Sequence, residues 1–299
     1  MTGSSGLIGS ALIPHLEGLG HSVTKVVRST PAAGEIGWDP DAGRLDANAL
    51  RGIDAVVNLA GVGIGDHRWT DEYKRQIHDS RTRSTNLVAE AIAAIEDGPR
   101  VLLSASAIGI YGDRGDEHVD ETSVLGNGFL VDVCRDWEAS TAAAAASGAR
   151  VAHLRTGIVL TPDGGALKKM LPLFKLGLGG RFGSGRQWQS WIAIDDHVAA
   201  VAHLLESDVA GPVNVTAPNP VDNRTFTATL ASVLRRPAVV PVPRVGPAVL
   251  LGGELADNLL YTGQRVHPGV LLADGFSFAY PDLEPALRHL LARWRALRW

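Results

Sequence analysis

Short apolar runs alternate with amphipathic stretches over the first two-thirds of the chain. The apolar runs are rich in Val, Ile and Leu and predict buried strands over residues 22–27, 54–60, 101–104 and 151–159. Apolar residues at helical spacing predict helices over residues 7–19, 82–95 and 132–146. Short buried strands that alternate with helices are typical of a parallel sheet with helices on both faces. The pattern therefore predicts an α/β protein with a Rossmann-like, doubly wound parallel sheet.

The pattern changes after about residue 157. A glycine-rich stretch predicts a loop over residues 175–186, and the apolar run at 191–194 predicts a strand that enters a helix, which we expect Asp195 and Asp196 to cap. A further strand is predicted at 213–216, then a proline-rich region and a helix over about 283–297. We predict a dinucleotide-binding domain (residues 1–157 and about 187–216) and a small C-terminal α+β substrate lobe (about 158–186 and 217–299).

A glycine-rich motif opens the chain, with Gly3, Gly6 and Gly9 spaced three residues apart. This spacing is typical of dinucleotide-binding loops, in which the glycines permit a tight turn, a close approach of the pyrophosphate and close packing of the helix on the sheet. The following helix then offers free N–H groups to the phosphates. The alternative is an ordinary glycine turn before a helix. The residues expected to contact the cofactor here are Gly3, Ser5, Gly6, Leu7 and Ile8.

The end of the second predicted strand favours one cofactor over the other. An acidic residue there binds the ribose 2′-hydroxyl of NAD, whereas an arginine accommodates the 2′-phosphate of NADP. The sequence has Arg28 and Ser29 at this point and no acid, so NADP(H) is preferred over NAD(H). The alternative is a solvated surface arginine. The next strand ends in the small residues Leu59, Ala60 and Gly61, against which the cofactor is expected to lie.

Composition and charge narrow the function classes. The 299 residues are 45% hydrophobic and 20% charged, with a net charge of −4, which argues against a nucleic-acid partner. The single cysteine excludes a disulfide framework. The sequence also has no His-Glu-x-x-His motif, which would indicate a metal site. No apolar stretch is long enough to span a membrane, and no secretory signal is evident. We expect a cytoplasmic monomer or homodimer that acts on a small molecule.

The motifs together resemble a known family, the extended short-chain dehydrogenase/reductases of the NAD(P)-dependent epimerase/dehydratase class. The resemblance rests on residues 2–9, 54–61, 104–112 and 191–196. Further motifs are similar to one atypical branch, usually named "epimerase family protein" and sometimes after a cell-division inhibitor; they lie at residues 68–70, 79–81, 134–138, 155–160, 183–187 and 263–268. The last of these is similar to the branch's own short C-terminal domain.

The resemblance implies a Tyr-x-x-x-Lys pair that this sequence lacks. Alignment on Glu138 puts Leu130 at the tyrosine position and Cys134 at the lysine position. A tyrosine without the lysine has a pKa near ~10 and is only about 0.1% ionised at pH 7, so it is a poor base. Cys134 is expected to be a small buried residue rather than a nucleophile. Ser106 then becomes the candidate that orients the substrate, and Tyr111 a candidate hydrogen-bond donor, with a packing role as its alternative.

Arginines offer further candidate contacts. Arg81 aligns with an asparagine at the start of a helix in ordinary family members. An arginine at this position can reach the cofactor ribose or pyrophosphate and partly replace the missing lysine charge. The alternative is an arginine on the helix surface. We expect Arg155, Arg186 and Trp191 to line the substrate site, which suits an anionic or planar substrate. Trp191 can equally be a core residue.

The predicted function is an NADP(H)-dependent oxidoreductase or epimerase with a non-standard active site and an unknown small-molecule substrate. The alternative is a catalytically silent NADP(H)-binding sensor or interaction module, which the missing Tyr-Lys pair favours. The N-terminus raises a separate point, because only Met1 precedes the glycine motif and a strand is expected there. We expect the natural chain to begin a few residues upstream, with Met1 as the last residue of that strand, or another segment to fill the gap.

Overall fold

The computed structural model describes residues 1–296. The strands are β1 (Val26–Val27), β2 (Ile36–Asp39), β3 (Arg44–Leu45), β4 (Ala55–Asn58), β5 (Val101–Ala107), β6 (His118–Val119), β7 (Arg150–Thr156), β8 (Ile158–Leu160), β9 (Trp188–Gln189), β10 (Trp191–Ala193), β11 (Gly211–Val215), β12 (Val221–Asp222) and β13 (Arg265–Val266). The helices are α1 (Leu7–Gly18), α2 (Asp71–Ala93), α3 (Phe129–Ala139), α4 (Ala142–Ala146), α5 (Gly165–Lys175), α6 (Ile194–Glu206), α7 (Asn223–Leu234), α8 (Val245–Leu251), α9 (Gly253–Ala256), α10 (Gly269–Ala273) and α11 (Leu283–Ala296).

The central sheet is parallel, with β4, β5, β7 and β11 adjacent in that order. Met1 and Thr2 hold the next position, since the Thr2 N–H donates to the Val57 carbonyl at 3.1 Å and the Val26 N–H donates to the Met1 carbonyl at 2.8 Å. Strands β1 and β2 follow beyond them and are also parallel. This is the strand order of a Rossmann fold. The predicted fold class is confirmed, whereas the proposed upstream start stays a prediction.

Helices cover both faces of this sheet. Successive strand residues point to opposite sides, so a continuous apolar run presents an apolar surface on each face. On β5, Leu103 packs with Leu12 of α1 and Val201 of α6. Its neighbour Leu102 packs on the other face with Val88 of α2. Both leucines are fully buried. The continuous apolar runs of the sequence are thus explained by strands that are buried on both faces.

A second apolar core lies beside the sheet. Leu160 of β8 and Trp191 of β10 pack with Phe226 of α7 and Leu287 of α11, and all four are buried. Strands β8 and β10 pair in parallel, β9 pairs with β12, and β6 pairs with β13. These small sheets hold the chain segments that extend past the carboxyl ends of the central strands. The domain boundaries that we drew from the sequence stay a prediction.

Three predicted elements have different bounds in the structure. Helix α2 begins at Asp71 rather than 82, because the Thr70 hydroxyl caps it by accepting the Tyr73 N–H. The helix predicted over residues 132–146 is two helices, α3 and α4. The strand predicted over 151–159 breaks at Gly157, where an added Cβ would lie 2.5 Å from the Ser190 carbonyl oxygen. The chain there leaves the central sheet for β10.

Asp195 and Asp196 lie in the first turn of α6, where carboxylates are favoured, as expected. The N-terminal cap itself is Ala193, which has no side-chain acceptor. The Asp196 carboxylate accepts the backbone N–H groups of Ala279 and Tyr280 at 2.8 and 2.9 Å. Asp196 therefore ties the C-terminal segment to α6. Within residues 1–296, no helix combines the length and apolar character that a membrane span requires.

Candidate functional site

The glycine loop forms a tight turn between Thr2 and α1. Gly3 has a φ of +63°, and a Cβ added there would lie 2.6 Å from the Leu59 carbonyl oxygen. A Cβ at Gly9 would overlap the Gly3 carbonyl oxygen, so the helix can pack this close only with glycine. Gly6 differs from both, because an added Cβ would meet a single atom, the Gly3 carbonyl oxygen at 3.2 Å. Gly3 and Gly9 are therefore required by the fold, whereas Gly6 leaves the loop open on one side.

The N-terminus of α1 opens onto the same side. Gly6 is the N-terminal cap of this helix, and no side chain caps it. Ser5 and Gly6 are exposed, and Leu7 and Ile8 are partly exposed. The first N–H groups of an uncapped helix and the positive end of its dipole attract phosphate groups. The loop therefore fits a dinucleotide pyrophosphate, and contacts from Ser5, Leu7 and Ile8 stay a prediction.

Strand β1 ends at Val27, next to this loop in the sheet. Arg28 and Ser29 follow it, and both are exposed. No carboxylate pairs with Arg28 in the part of the chain that the structure describes. An exposed arginine at this strand end suits a 2′-phosphate, and the preference for NADP(H) stays a prediction.

A buried hydrogen-bond network fixes the end of β4. The Thr2 hydroxyl donates to Asn58 Oδ1 at 2.7 Å and accepts the Leu59 N–H at 3.0 Å. Asn58 Nδ2 donates to the Thr85 hydroxyl at 2.8 Å, which also accepts Trp137 Nε1–H at 2.9 Å. The network joins the first residues of the chain to α2 and α3. It holds Leu59, Ala60 and Gly61 along the cleft beside the glycine loop.

Arg81 lies at the same strand end. Its side chain runs along Gly61, where an added Cβ would be 3.2 Å from Arg81 Cγ and 3.4 Å from Nη1. Nη1 donates to the Ile77 carbonyl at 3.0 Å, and the guanidinium stacks 5.0 Å from the centre of the Trp137 ring. Burial lowers the pKa of Arg81, and the neighbouring Cys134 and Tyr73 offset part of that. No carboxylate within residues 1–296 forms an ion pair with Arg81, so its charge is available to an anionic ligand.

Helix α3 carries Leu130 and Cys134, the residues that the sequence alignment on Glu138 predicts at the Tyr-Lys positions. Leu130 packs near Gly109, whose added Cβ would lie 3.7 Å from the leucine Cβ. Cys134 is buried next to Arg81, and burial raises the pKa of its thiol to about 12. A thiol with this pKa is not a nucleophile at neutral pH. Arg81 is the first of two cations that lie near Cys134, and Arg155 is the second.

The Ser106 side chain is hydrogen-bonded to the carboxylate of Glu138 on α3. Its hydroxyl donates to Glu138 Oε1 at 2.7 Å. Glu138 also accepts two hydrogen bonds from Arg155, Nε to Oε1 and Nη2 to Oε2, each at 2.9 Å. Burial lowers the pKa of Arg155, but the hydrogen bonds and charge of Glu138 raise it by more than burial lowers it. The pKa of Arg155 therefore lies above its usual value, and the guanidinium stays charged. Ser106 and Arg155, predicted separately, are joined here through Glu138.

Tyr111 belongs to the same network. Its hydroxyl donates to Asn214 Oδ1 at 2.7 Å and accepts a hydrogen bond from Arg155 Nη1 at 3.0 Å. The side chain is fully buried, and burial raises the pKa of the phenol despite the opposing effect of Arg155. Both hydrogen-bonding roles of the hydroxyl are thus occupied by the protein. This placement fits the packing alternative, and a catalytic role for Tyr111 stays a prediction.

The three predicted substrate residues lie in different environments. Arg155 is buried against Glu138, whereas Arg186 is exposed in the glycine-rich loop before β9. Trp191 is fully buried in the second core, and its Nε1–H donates to the Asn219 carbonyl at 3.2 Å. Trp191 is therefore a core residue, which was the alternative interpretation, and a substrate could contact it only if that core opened. Of the three, Arg186 is the residue open to a ligand in this structure.

Glu138 and Asn214 are the residues that sequence reasoning missed. Glu138 follows Cys134 by one helical turn, so its position on the α3 face toward β5 was a usable signal. Asn214 lies inside an apolar strand, where a polar residue needs a buried partner. Both signals concern polar residues in apolar surroundings.

Comparison with known proteins gives the family. Residues 1–216 match the model of the NAD dependent epimerase/dehydratase family, and residues 242–290 match a domain of unknown function, DUF1731. An epimerase family protein of Mycobacterium bovis is 43% identical over 98% of this chain and 97% of its own length. A human relative, epimerase family protein SDR39U1, is 36% identical over 97% of this chain and 98% of its own.

Solved structures agree with this assignment. The crystal structure of human SDR39U1 (isoform 2) with NADPH has a TM-score of 0.89 and 34% identity, and the match covers 97% of this chain and 98% of that one. A nucleoside-diphosphate sugar epimerase from Corynebacterium glutamicum has a TM-score of 0.78 and 38% identity, over 99% of this chain and 60% of the other. The resemblance expected from the motifs is confirmed, and the chain belongs to the NAD-dependent epimerase/dehydratase family.

Proposed function

We propose that the protein is an NADP(H)-dependent oxidoreductase or epimerase that acts on a small molecule. The open glycine loop, with an uncapped helix behind Gly6, is the observation that carries this proposal. The NADPH named for the human relative's structure supports the cofactor. The preference for NADP(H) over NAD(H) rests on Arg28, exposed at the end of β1 without an acidic residue beside it.

When bound, the nicotinamide cofactor supplies hydride transfer. Arg81 is proposed to hold the cofactor ribose or pyrophosphate, because its charge lies along Gly61 with no carboxylate partner in the described chain. This charge takes the place of the lysine that α3 does not have. Arg186 is proposed to meet an anionic or planar substrate from the exposed loop before β9.

Proton transfer falls to Ser106 or a water molecule in this proposal. The Ser106 hydroxyl donates to Glu138, which leaves the serine oxygen free to accept a hydrogen bond from a substrate hydroxyl. Tyr111 is the weaker candidate because Asn214 and Arg155 occupy its hydroxyl.

The second candidate is an NADP(H)-binding protein without turnover, acting as a sensor or interaction module. Leu130 and Cys134 at the Tyr-Lys positions, and the buried Ser106–Glu138–Arg155 network, favour it. The two candidates share the cofactor site and differ in whether bound NADPH is oxidised. The cytoplasmic compartment, the monomer or homodimer and the lack of nucleic-acid and membrane partners stay predictions from the sequence.

NADPH binding by the Gly6→Ala variant tests the shared part of the proposal. A methyl group at Gly6 meets one protein atom at 3.2 Å but projects toward the pyrophosphate position, so we expect NADPH affinity to fall at least about tenfold with little change in melting temperature. Binding is followed by the fluorescence of the reduced nicotinamide. Gly18→Ala is the matched control, because an added Cβ in the last turn of α1 has no neighbour within 4 Å.

Unchanged NADPH affinity in Gly6→Ala, or no NADPH binding by the unaltered chain, would contradict the cofactor site. The same preparation separates the two candidates. NADPH consumption with any member of a panel of small aldehydes and ketones supports the enzyme, whereas tight binding without consumption across that panel supports the silent binder.

A further inference from the structure

A cavity of about 190 Å³ lies between the β6–β13 ribbon and the loop after β11. Arg265, His118 and His267 line it with nitrogen-bearing side chains, and Pro218 and Pro220 form its apolar wall. Proline has no backbone N–H, and the side-chain amide of Asn219 donates to Asp282 Oδ1 at 2.8 Å. The hydrogen-bond donors of this cavity are therefore concentrated on the arginine and the two histidines.

Strand geometry puts those three side chains on one face. Arg265 and His118 are paired in register between β13 and β6, and His267 continues the pairing by donating its N–H to the Val119 carbonyl at 2.8 Å. Val266, the residue between Arg265 and His267, is fully buried on the opposite face. The alternation of the strand therefore directs Arg265 and His267 to the same side, toward His118.

Arg265 is held in place without a counter-ion. Its guanidinium lies 4.1 Å from the centre of the Trp188 ring, and the Trp188 Nε1–H donates to the Asp116 carboxylate at 2.8 Å. The buried Nε of Arg265 has no hydrogen-bond partner, and no carboxylate in residues 1–296 forms an ion pair with it. A guanidinium that is fixed on an indole face and not paired with a carboxylate is prepared to bind an oxyanion.

We propose that this cavity binds the phosphate group of a small phosphorylated molecule. The donors approach from a guanidinium and two imidazoles, which suits the several oxygens of a phosphate, whereas a carboxylate is satisfied by the guanidinium fork alone. The volume is below the ~300–1,000 Å³ of pockets that enclose drug-sized ligands, so the cavity fits a phosphate and a few further atoms rather than a dinucleotide. The site goes beyond the proposed function and uses none of the residues assigned to the cofactor.

The test is an NMR titration of the full-length protein with inorganic phosphate, in the presence and absence of saturating NADPH. The ring signals of His118 and His267 are assigned with the His118→Gln and His267→Gln variants. We expect both signals to shift saturably at millimolar phosphate or below, equally with and without NADPH. Glycerol 1-phosphate is titrated in parallel, and the tighter of the two ligands shows whether the site takes free phosphate or a phosphate ester.

Arg265→Gln is expected to weaken binding at least about tenfold, and Arg265→Lys to give an intermediate affinity because it keeps the charge but loses the fork and the stacking. Arg288→Gln, on the exposed face of α11, is the control and should bind phosphate as the unaltered protein does. A melting curve for each variant confirms that it is folded. Shifts that do not saturate, acetate that binds as tightly as phosphate, or equal affinity in folded Arg265→Gln would overturn the proposal.

Discussion

At the scale of the residue, the buried pair of Glu138 and Arg155 organises the middle of the site. Their side chains are 13% and 6% exposed, so their charges are poorly screened by solvent. The pair joins Ser106 at the end of β5 to Tyr111 and Asn214 beside it. Loss of either charge leaves the other buried without compensation.

The Glu138→Gln variant tests this role. Glutamine keeps a hydrogen-bond acceptor for Ser106 but leaves the Arg155 charge uncompensated, so we expect the free energy of unfolding to fall by about 3 kcal/mol. Urea denaturation followed by circular dichroism measures it. Asp132→Asn serves as control, because Asp132 pairs with Arg135 on the same helix with both side chains over half exposed, and it should cost less than about 1 kcal/mol. Equal losses of unfolding free energy in the two variants would contradict a larger contribution of the buried pair than of the exposed one.

Residue types alone indicated some of these positions and not others. Glycines at 3, 6 and 9 could be assigned because their spacing reports the local backbone directly. The burial of Trp191 and Arg155 could not, because it is decided by helices and strands that are distant in the sequence. An arginine in an apolar strand signals a buried partner, but the sequence does not show that the partner is Glu138.

At the scale of the element, α6 carries a buried histidine that makes its packing depend on pH. His197 is fully enclosed, its Nε2 lies 3.2 Å from the Thr156 hydroxyl, and burial lowers the pKa of the ring from 6.5 to about 4. The folded protein thus keeps His197 neutral at a pH where the unfolded chain binds a proton. The contribution of neutral His197 to the free energy of unfolding is therefore complete above about pH 6.5 and is lost as the pH falls toward 4.

His197→Gln is expected to reduce this pH dependence. The shift of the His197 pKa corresponds to about 3 kcal/mol of stability lost between pH 6.5 and 4 in the unaltered protein, and that part of the loss should disappear in the variant. His153, whose pKa burial also lowers, remains and contributes in the same direction. Urea denaturation at several pH values measures the slope, and exposed His67→Gln is the control. A slope that His197→Gln leaves unchanged would contradict a neutral buried His197.

The elements were foreseen where one physical cause dominates. The strand at Trp191–Ala193 and the helix that follows it were evident, because a short apolar run meets a helical repeat. The start of α2 was missed because its first turns are polar and charged, so the cap at Thr70 determines it and the apolar spacing does not. The break of the predicted strand at Gly157 was missed because it depends on contact with Ser190.

At the scale of the whole molecule, the sheet edge brings together residues from separate parts of the chain. The glycine loop, Arg28 after β1, Gly61 after β4 and Arg81 on α2 all lie at the carboxyl ends of the parallel strands. Ligands of open α/β sheets bind in that crevice. The fold class followed from the strand-helix alternation, whereas the Ser106–Glu138–Arg155 network required the folded arrangement.

We propose that this crevice binds NADP(H) and that Arg28 selects it over NAD(H). The most direct measurement is the pair of dissociation constants for NADPH and NADH, by fluorescence titration, in the unaltered protein and in Arg28→Gln. We predict that NADPH binds at least about tenfold more tightly than NADH, and that Arg28→Gln removes most of this difference by weakening NADPH alone. Equal affinity for both cofactors in the unaltered protein, or an Arg28→Gln variant that keeps the full preference, would contradict selection of NADP(H) by Arg28.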